Sequence, residues 1–432
     1  MDREPDGAIA VVLAGGGARG AYEIGALSVL LPELADRGER PTIFVGTSVG
    51  ALNATWLAAH ADATVDRLVD DALGIWPTIR FRDVLRPLIT VGGSLRVGRY
   101  LLGATVGHGR LEALLDPEPL TDTVERLIPF GRLERNVAEG RVTAAVVATA
   151  AHTGRSVVFT ATSGEVPGED HRRGIEYVKT AALTGEHIRA SAAIPTAFPP
   201  VHVSTAKPGW YVDGGTRMNT ATKPALALGA RRLVVIGLNG TDPDPAEEHD
   251  DERPDALSGA AHLVQGLLAD PLAADIRTLA STNELLLAGA GEVDTTKSPV
   301  PYIFVAPRRR AAIGELAREV YQDHFTGPKS LVSGRDLALL GRLLSADRSD
   351  MHGELFSYLC FAKQLAEELT ACGRADARTW LDGQHDDGPW RLRPLPDEPP
   401  APRVTAQAAP AVSEPTRRPR TPGTATRTGG SS

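Results

Sequence analysis

Two glycine-rich turns, Gly15-Gly16-Gly17-Ala18-Arg19-Gly20 and Gly46-Thr47-Ser48-Val49-Gly50, each end a short apolar run and open a helical pattern. The first run, Ala8 to Ala14 (AIAVVLA), is continuous and partly β-branched, which fits a strand buried on both faces. From Ala18 to Arg37 the apolar residues Tyr22, Ala26, Val29, Leu30 and Leu34 recur at helical spacing, and Gly38 stands where a helix C-cap belongs. Pro41 to Val45 reads as a second strand ending at Gly46, and Val49 to His60 as an Ala-rich helix. Strand, glycine loop, helix, strand, tight turn, helix is the order of a parallel sheet with crossover helices, whose ligands gather beyond the carboxyl ends of the strands.

Further strands are expected over Arg141–Ala150 and Arg155–Ala161, joined by a polar turn at His152–Gly154, and over Arg232–Leu238 and Tyr302–Val305. Residues 61–140 carry Pro77, Pro87, Pro117, Pro119 and Pro129 among short helical pieces, the pattern of a cap inserted over one face. Asp242 to Asp255 is an acidic, proline-containing connection without EF-hand spacing. Two helical patterns, Ser330–Leu344 and Met351–Ala371, follow the last strand. From Arg391 onward there are nine prolines, seven arginines against three acids and no aromatic residue, the composition of a disordered, mildly basic tail. The expected architecture is a three-layer α/β/α sandwich with a mostly parallel central sheet. Its divisions are an extension over 1–7, a catalytic domain over 8–305 with the cap at 61–140, a helical segment over 306–385 and the tail over 386–432.

Composition narrows the partners. At 432 residues the chain holds enough for one large or two ordinary domains with a full core, so it needs no disulfide or metal staple. Forty-six basic against 54 acidic side chains give a net charge of −8, which argues against nucleic acid and against general attraction to anionic lipid. Contact with a membrane surface would be local and peripheral. Cys360 and Cys372 form no metal-binding spacing, and no cofactor is expected. No apolar run is long enough for a secretory signal or a membrane span, so the expectation is a soluble, cytoplasmic chain.

Gly15 to Gly20 also satisfies GxGxxG, the dinucleotide fingerprint, but that reading needs an acid at the end of the second strand, and Ile43-Phe44-Val45-Gly46 offers none. A phosphate-binding loop fails too, because no GK[ST] follows. What the loop can offer is backbone amides, at a helix N-terminus, to a developing negative charge. Gly46 to Gly50 is a GxSxG, in which Gly46 and Gly50 let chain segments pass close enough to expose the Ser48 hydroxyl on a strained strand-to-helix turn. A serine at its free pKa needs a base. Asp213, in Trp210-Tyr211-Val212-Asp213-Gly214-Gly215, is a candidate, although Asp-Gly at the end of a β run is equally the signature of a hairpin turn, and spacing leaves both open.

In this order, GGGARG, GTSVGALNA and YVDGG resemble the motifs of the patatin-like phospholipases. Ala190-Ser191-Ala192-Ala193-Ile194-Pro195, with Phe198-Pro199-Pro200-Val201, is similar to the segment preceding that family's aspartate, and Asn219 and Pro224 fall in the stretch after it. The likeness spans about residues 8–240. It implies a lipid acyl hydrolase with Ser48 as nucleophile, Asp213 as base without histidine, and amides of Gly15, Gly16 and Gly17 in the oxyanion hole. Gly214 and Gly215 complete the aspartate motif. Arg19 matches the motif's basic position, where it either serves the reaction or pairs with a carboxylate to hold the loop. The polar residues Thr220 to Lys223 depart from the usual pattern, and no calcium-binding membrane module is present in the sequence.

Two rivals remain at this level. A Ser-acid-His triad would draw its histidine from His249, His262 or His324, which satisfy the chain order but lie at no strand end. A non-catalytic lipid-binding scaffold would use Arg80, Arg82, Arg86, Arg96, Arg99 and Arg110, interleaved with Leu85, Leu88 and Ile89, against anionic headgroups. A carboxylate base also predicts a pH profile without an imidazole limb at ~6 to 7.

Overall fold

The computed structural model describes residues 7–87, 115–195, 197–240, 259, 270–288, 298–327, 334–383 and 386–395. Its opening follows the expected order: β1 (Ile9–Leu13), α1 (Gly20–Asp36), β2 (Pro41–Thr47) and α2 (Val49–Ala59). Among the described residues four short helices come next, α3 (Val65–Ile75), α4 (Phe81–Val84), α5 (Pro119–Leu127) and α6 (Phe130–Ala138). They are short and begin or end near the prolines, which remove a backbone donor and favour a helix's first turn over its interior. Then come β3 (Thr143–Ala150), β4 (Ser156–Ala161), β5 (Ile175–Thr180), α7 (Gly185–Ser191), β6 (Val201–Val203), β7 (Gly209–Asp213), α8 (Thr222–Ala227) and β8 (Arg232–Ile236). The chain continues with α9 (Asp270–Leu287), β9 (Tyr302–Val305), α10 (Ala312–Phe325), α11 (Arg335–Leu343), α12 (Asp350–Leu359) and α13 (Lys363–Leu381).

The sheet runs β5-β4-β3-β2-β1-β8-β9, with β7 paired to β3 and β6 to β7. From β3 through β9 all neighbours on this path are parallel, and β4 turns back antiparallel to β3. Helices flank this mostly parallel sheet, and every residue of β1 is buried, as a central strand covered on both faces requires. The registers place Leu13 beside Gly46 and Ile236 beside Leu13, so the glycine loop and the Ser48 turn leave adjacent strands at the same level.

The flank of β3 that faces β2 is shared. Along it β2 pairs up to Thr47, opposite Val147, and β7 takes over antiparallel with Asp213 opposite Ala148. Consecutive residues of β3 thus hold the last residue of β2 and the last residue of β7 end to end. The turn after Thr47 and the turn at Asp213 must meet.

Several expected boundaries move. The pattern from Met351 to Ala371 is two helices, α12 and α13, separated at Cys360–Ala362. Apolar periodicity runs through the break because both helices bury one face, so periodicity alone does not register the turn. Helix α10 was not anticipated, although Ile313, Ala317, Val320 and Tyr321 form its buried stripe. The tail does not begin at 386: Tyr302 pairs with Arg391, Trp390 is buried, and its indole donates to Glu39 Oε2 at 2.9 Å. The compact unit runs to Arg393. The acidic loop 242–255, most of the tail and the extension over 1–6 lie outside the described residues, as do Leu88, Ile89, Arg96, Arg99 and Arg110.

Candidate active site

Ser48 occupies the turn between β2 and α2 with φ 54° and ψ −122°, a backbone conformation that costs a non-glycine residue about 1–3 kcal/mol. The glycines of the motif make the turn possible. A Cβ on Gly46 would fall 2.1 Å from the Gly50 carbonyl, and one on Gly50 would fall 2.4 Å from the Leu13 carbonyl. The strained turn is also pinned from outside: the Ser48 N–H donates to Ser191 Oγ at 2.8 Å, and that hydroxyl donates to the Val147 carbonyl at 2.5 Å. Both partners are buried. Ser191 belongs to the ASAAIP segment, whose resemblance was legible in sequence while this bracing role was not.

Asp213 ends β7 and meets the Ser48 turn as the β3 register requires, which brings its carboxyl close enough for the Ser48 hydroxyl to favour the ionised form. Gly215 N–H donates to Asp213 Oδ1 at 2.6 Å, and the Asp213 N–H donates to the Ala193 carbonyl at 2.8 Å. A Cβ on Gly214 would lie 2.3 Å from the Val147 carbonyl, so only glycine lets the turn sit this close to β3. Burial pushes the Asp213 carboxyl up to about 6, against the pull of the hydrogen bonds from Ser48 and Gly215. Such a carboxylate is ionised at neutral pH and still basic enough to take a proton. It also places a titration at the lower edge of the range reserved for histidine above, so the pH profile alone does not separate the two bases.

The glycine loop lies against this pair, where a Cβ on Gly15 would come within 3.0 Å of Ser48 Cβ. The three glycines are not equivalent. Gly15 N–H is taken by Asn219 Oδ1 at 2.9 Å, whereas among the described residues the N–H groups of Gly16 and Gly17 meet no acceptor. The expected oxyanion donors therefore divide into one amide that anchors the loop and two that are unoccupied.

Arg19 is fully buried. It forms an ion pair with Glu354 Oε1 at 2.8 Å and donates to Ser357 Oγ at 2.8 Å, Asn239 Oδ1 at 3.0 Å and the Glu354 carbonyl at 2.9 Å. The Tyr358 ring lies 3.7 Å from its central carbon. Of the two roles left open for Arg19, the structure carries the holding one. Apart from Asn239, which follows β8, its partners Glu354, Ser357 and Tyr358 sit on α12, beyond the span of the sequence resemblance, and nothing in their spacing signalled the contact.

An apolar slot opens beside Ser48, walled by Val49, Leu52, Trp76, Val84, Leu120, Ile188, Phe198 and Phe361. Its free space is about 60 Å³, roughly four to six waters' worth, so an alkyl chain enters only as wall side chains turn aside. Trp76 is held by its indole N–H to Asn53 Oδ1 at 3.2 Å, while Asn53 donates to Glu23 Oε2 at 2.8 Å. Burial raises the Glu23 carboxyl well above the usual carboxylate range, against the pull of the hydrogen bond from Asn53.

The rival residues fall elsewhere. His249 and His262 lie outside the described residues, and His324 is exposed near the end of α10. No hydrogen bond joins a described histidine to Ser48 or Asp213. Of the cap arginines, Arg82 pairs with Asp336, Arg86 with Asp116 and Glu118, and Arg80 donates to the Pro77 carbonyl, so these charges are engaged within the chain. Among the described residues no cluster of His, Cys, Asp and Glu is arranged to hold a metal, and no helix is long and apolar enough to cross a membrane.

The sequence matches the family described as patatin-like phospholipase over residues 11–226, half of the chain. No match is found among curated proteins. Solved structures that resemble it include VipD from Legionella pneumophila, 15% identical, covering 70% of this chain and 62% of that one with a TM-score of 0.30. Human GIVD cytosolic phospholipase A2 is 12% identical, with 88% and 61% covered and a TM-score of 0.29. ExoU, in the ExoU-SpcU complex from Pseudomonas aeruginosa, is 17% identical, with 88% and 73% covered and a TM-score of 0.23. The chain thus spans about three fifths of the length of the first two.

Proposed function

The chain belongs to the patatin-like phospholipase family, a family of lipid acyl hydrolases, and from that membership we propose that Ser48 and Asp213 form its catalytic dyad. In this reading Ser48 Oγ attacks the carbonyl carbon of a lipid ester while Asp213 takes the hydroxyl proton. The carbonyl oxygen, now negative, lies against the N–H groups of Gly16 and Gly17, and each such donor typically contributes ~2.7 to 4 kcal/mol to the transition state. Collapse expels the alcohol, which receives the proton from Asp213 and leaves an acyl group on Ser48. Water, deprotonated by Asp213, attacks that ester, and collapse returns the fatty acid and the free serine. The alkyl chain lies in the apolar slot beside the nucleophile, and the substrate is taken from a lipid surface.

The observation that carries the reading is the β3 register that sets the end of β7, with Asp213, against the strained, glycine-flanked turn of Ser48 at the end of β2. The test is hydrolysis of a short nitrophenyl ester and of mixed phospholipid vesicles by wild type, Ser48→Ala and Asp213→Asn. Loss of fatty-acid release in both variants, with fold retained, supports the dyad. Undiminished release by either variant contradicts it.

A further inference from the structure

Beside the apolar slot lies a second, larger chamber of about 310 Å³, lined among others by Asp116, Thr121, Arg189, Pro200, His202 and Trp210. The two spaces share Leu120, Ala192 and Phe198 as a common wall. Helix α7 serves both. Ile188 faces the slot, Ser191 holds the nucleophile's backbone and Arg189 faces the chamber. Arg189 and Ser191 lie within one helical turn, about 5.4 Å of axis.

The guanidinium of Arg189 is under-used. One terminal nitrogen donates to Thr121 Oγ1 at 3.1 Å, while its buried Nε meets no acceptor. The nearby carboxylates take their hydrogen bonds and ion pairs from other groups: Asp116 and Glu118 pair with Arg86, and Glu186, one turn before Arg189 and held low in part by its charge, accepts from the N–H and hydroxyl of Ser204. Arg19, by contrast, spends its donors on fixed acceptors. A half-buried guanidinium with donors in reserve suits a planar, two-oxygen anion. The chamber mouth carries Trp210, 49% exposed, on the β6–β7 hairpin, an amphipathic ring suited to a lipid–water interface.

We propose that this chamber seats the phosphodiester of a glycerophospholipid substrate, with Arg189 as its recognition residue, so that the enzyme selects phospholipid over neutral glyceride. The proposal rests on the Ser48–Asp213 reading, because it assigns the slot to the acyl chain and the neighbouring chamber to the headgroup of the same molecule. The glycerol carbons join the two groups, as the shared wall joins the two spaces.

The test compares kcat/KM for a short-chain phosphatidylcholine with that for the matching diacylglycerol. In Arg189→Gln the ratio is expected to fall about 10- to 100-fold, the range for losing a charge-assisted hydrogen bond, mainly through KM. Arg189→Lys should recover part of it by keeping the charge without the fork. An unchanged ratio in Arg189→Gln, with or without an equal loss on both substrates, overturns the proposal. Calorimetric titration of glycerophosphocholine and of inorganic phosphate into wild type and Arg189→Gln reads the chamber without catalysis. Arg189-dependent binding of the phosphodiester supports the proposal even if no ester is cleaved, which would place the failure in the dyad instead. Binding of inorganic phosphate alone overturns the assignment to a lipid headgroup.

Discussion

The Ser48 turn and the glycine loop stand side by side at the carboxyl edge of the sheet, yet different parts of the chain hold them. The bonds that fix Ser48 come from nearby in the fold: its N–H donates to Ser191 Oγ, which is held in turn by Val147, and its carbonyl accepts from Ala51 and Leu52 of α2. The glycine loop is fixed on one side by Asn219 and on the other through Arg19 by Glu354, Ser357 and Tyr358, more than 300 residues along. The first arrangement follows from strand register. The second depends on a helix that carries no recognisable motif, so the glycine loop is held in part by the least informative part of the sequence.

The largest effect that sharpens this contrast is expected at Asp213. Asp213→Asn should lower kcat/KM by about 10⁴-fold, the scale at which losing one member of a catalytic unit is felt, in an ester-hydrolysis assay. Wild-type kcat/KM should fall below pH about 6 as Asp213 is protonated and reach its plateau above it. Stability moves the other way. A carboxyl whose native pKa is raised from 3.8 to about 6 favours the fold in its protonated form, and that contribution is lost as pH rises between those values. Asp213→Asn should therefore be the more stable protein at pH 8, by on the order of 3 kcal/mol, in urea unfolding.

Breaking the remote clamp comes next. Glu354→Ala leaves Arg19 charged, buried and without its ionic partner, at a cost of about 3–5 kcal/mol. Activity should fall with it as the glycine loop loosens. Hydrogen exchange at the Gly16 to Arg19 amides checks the cause, since faster exchange there but not at β2 would separate the two supports. A smaller loss, about 1–3 kcal/mol, is expected for Ser191→Ala, which strands the Ser48 N–H and the Val147 carbonyl; thermal unfolding reads it. The smallest effect belongs to a triad candidate: His324→Gln should leave kcat/KM within about twofold, because surface positions far from the site are energetically quiet. A large loss there would restore the triad.

How much of this was legible varies with the range of the interaction. The opening β1, α1, β2 and α2 were readable because each is set by its own periodicity and by the glycines that punctuate it. So was the β3–β4 hairpin. The Ser48 turn was readable because Gly46 and Gly50 report a local backbone need. Asp213 was not assignable from spacing, since its meeting with Ser48 is fixed by Val147 and Ala148 of a third strand. Family resemblance supplied it. The role of Arg19, the division of labour among Gly15, Gly16 and Gly17, and the raised carboxyl of Asp213 all depend on burial and distant partners that no local pattern encodes. The break at Cys360–Ala362 and the anchoring of Trp390 failed for a related reason: tertiary packing overrode a continuous apolar period and a polar composition.

The most direct measurement is covalent labelling with an alkyl fluorophosphonate, which captures a serine only when it is activated as a nucleophile, followed by intact-mass and peptide mass analysis. One adduct per chain is expected, on the peptide containing Ser48, absent in Ser48→Ala, strongly slowed in Asp213→Asn and fading as pH drops through about 6. Labelling of Ser48 that persists in Asp213→Asn and depends instead on a histidine, or an adduct on a different residue, would contradict the dyad.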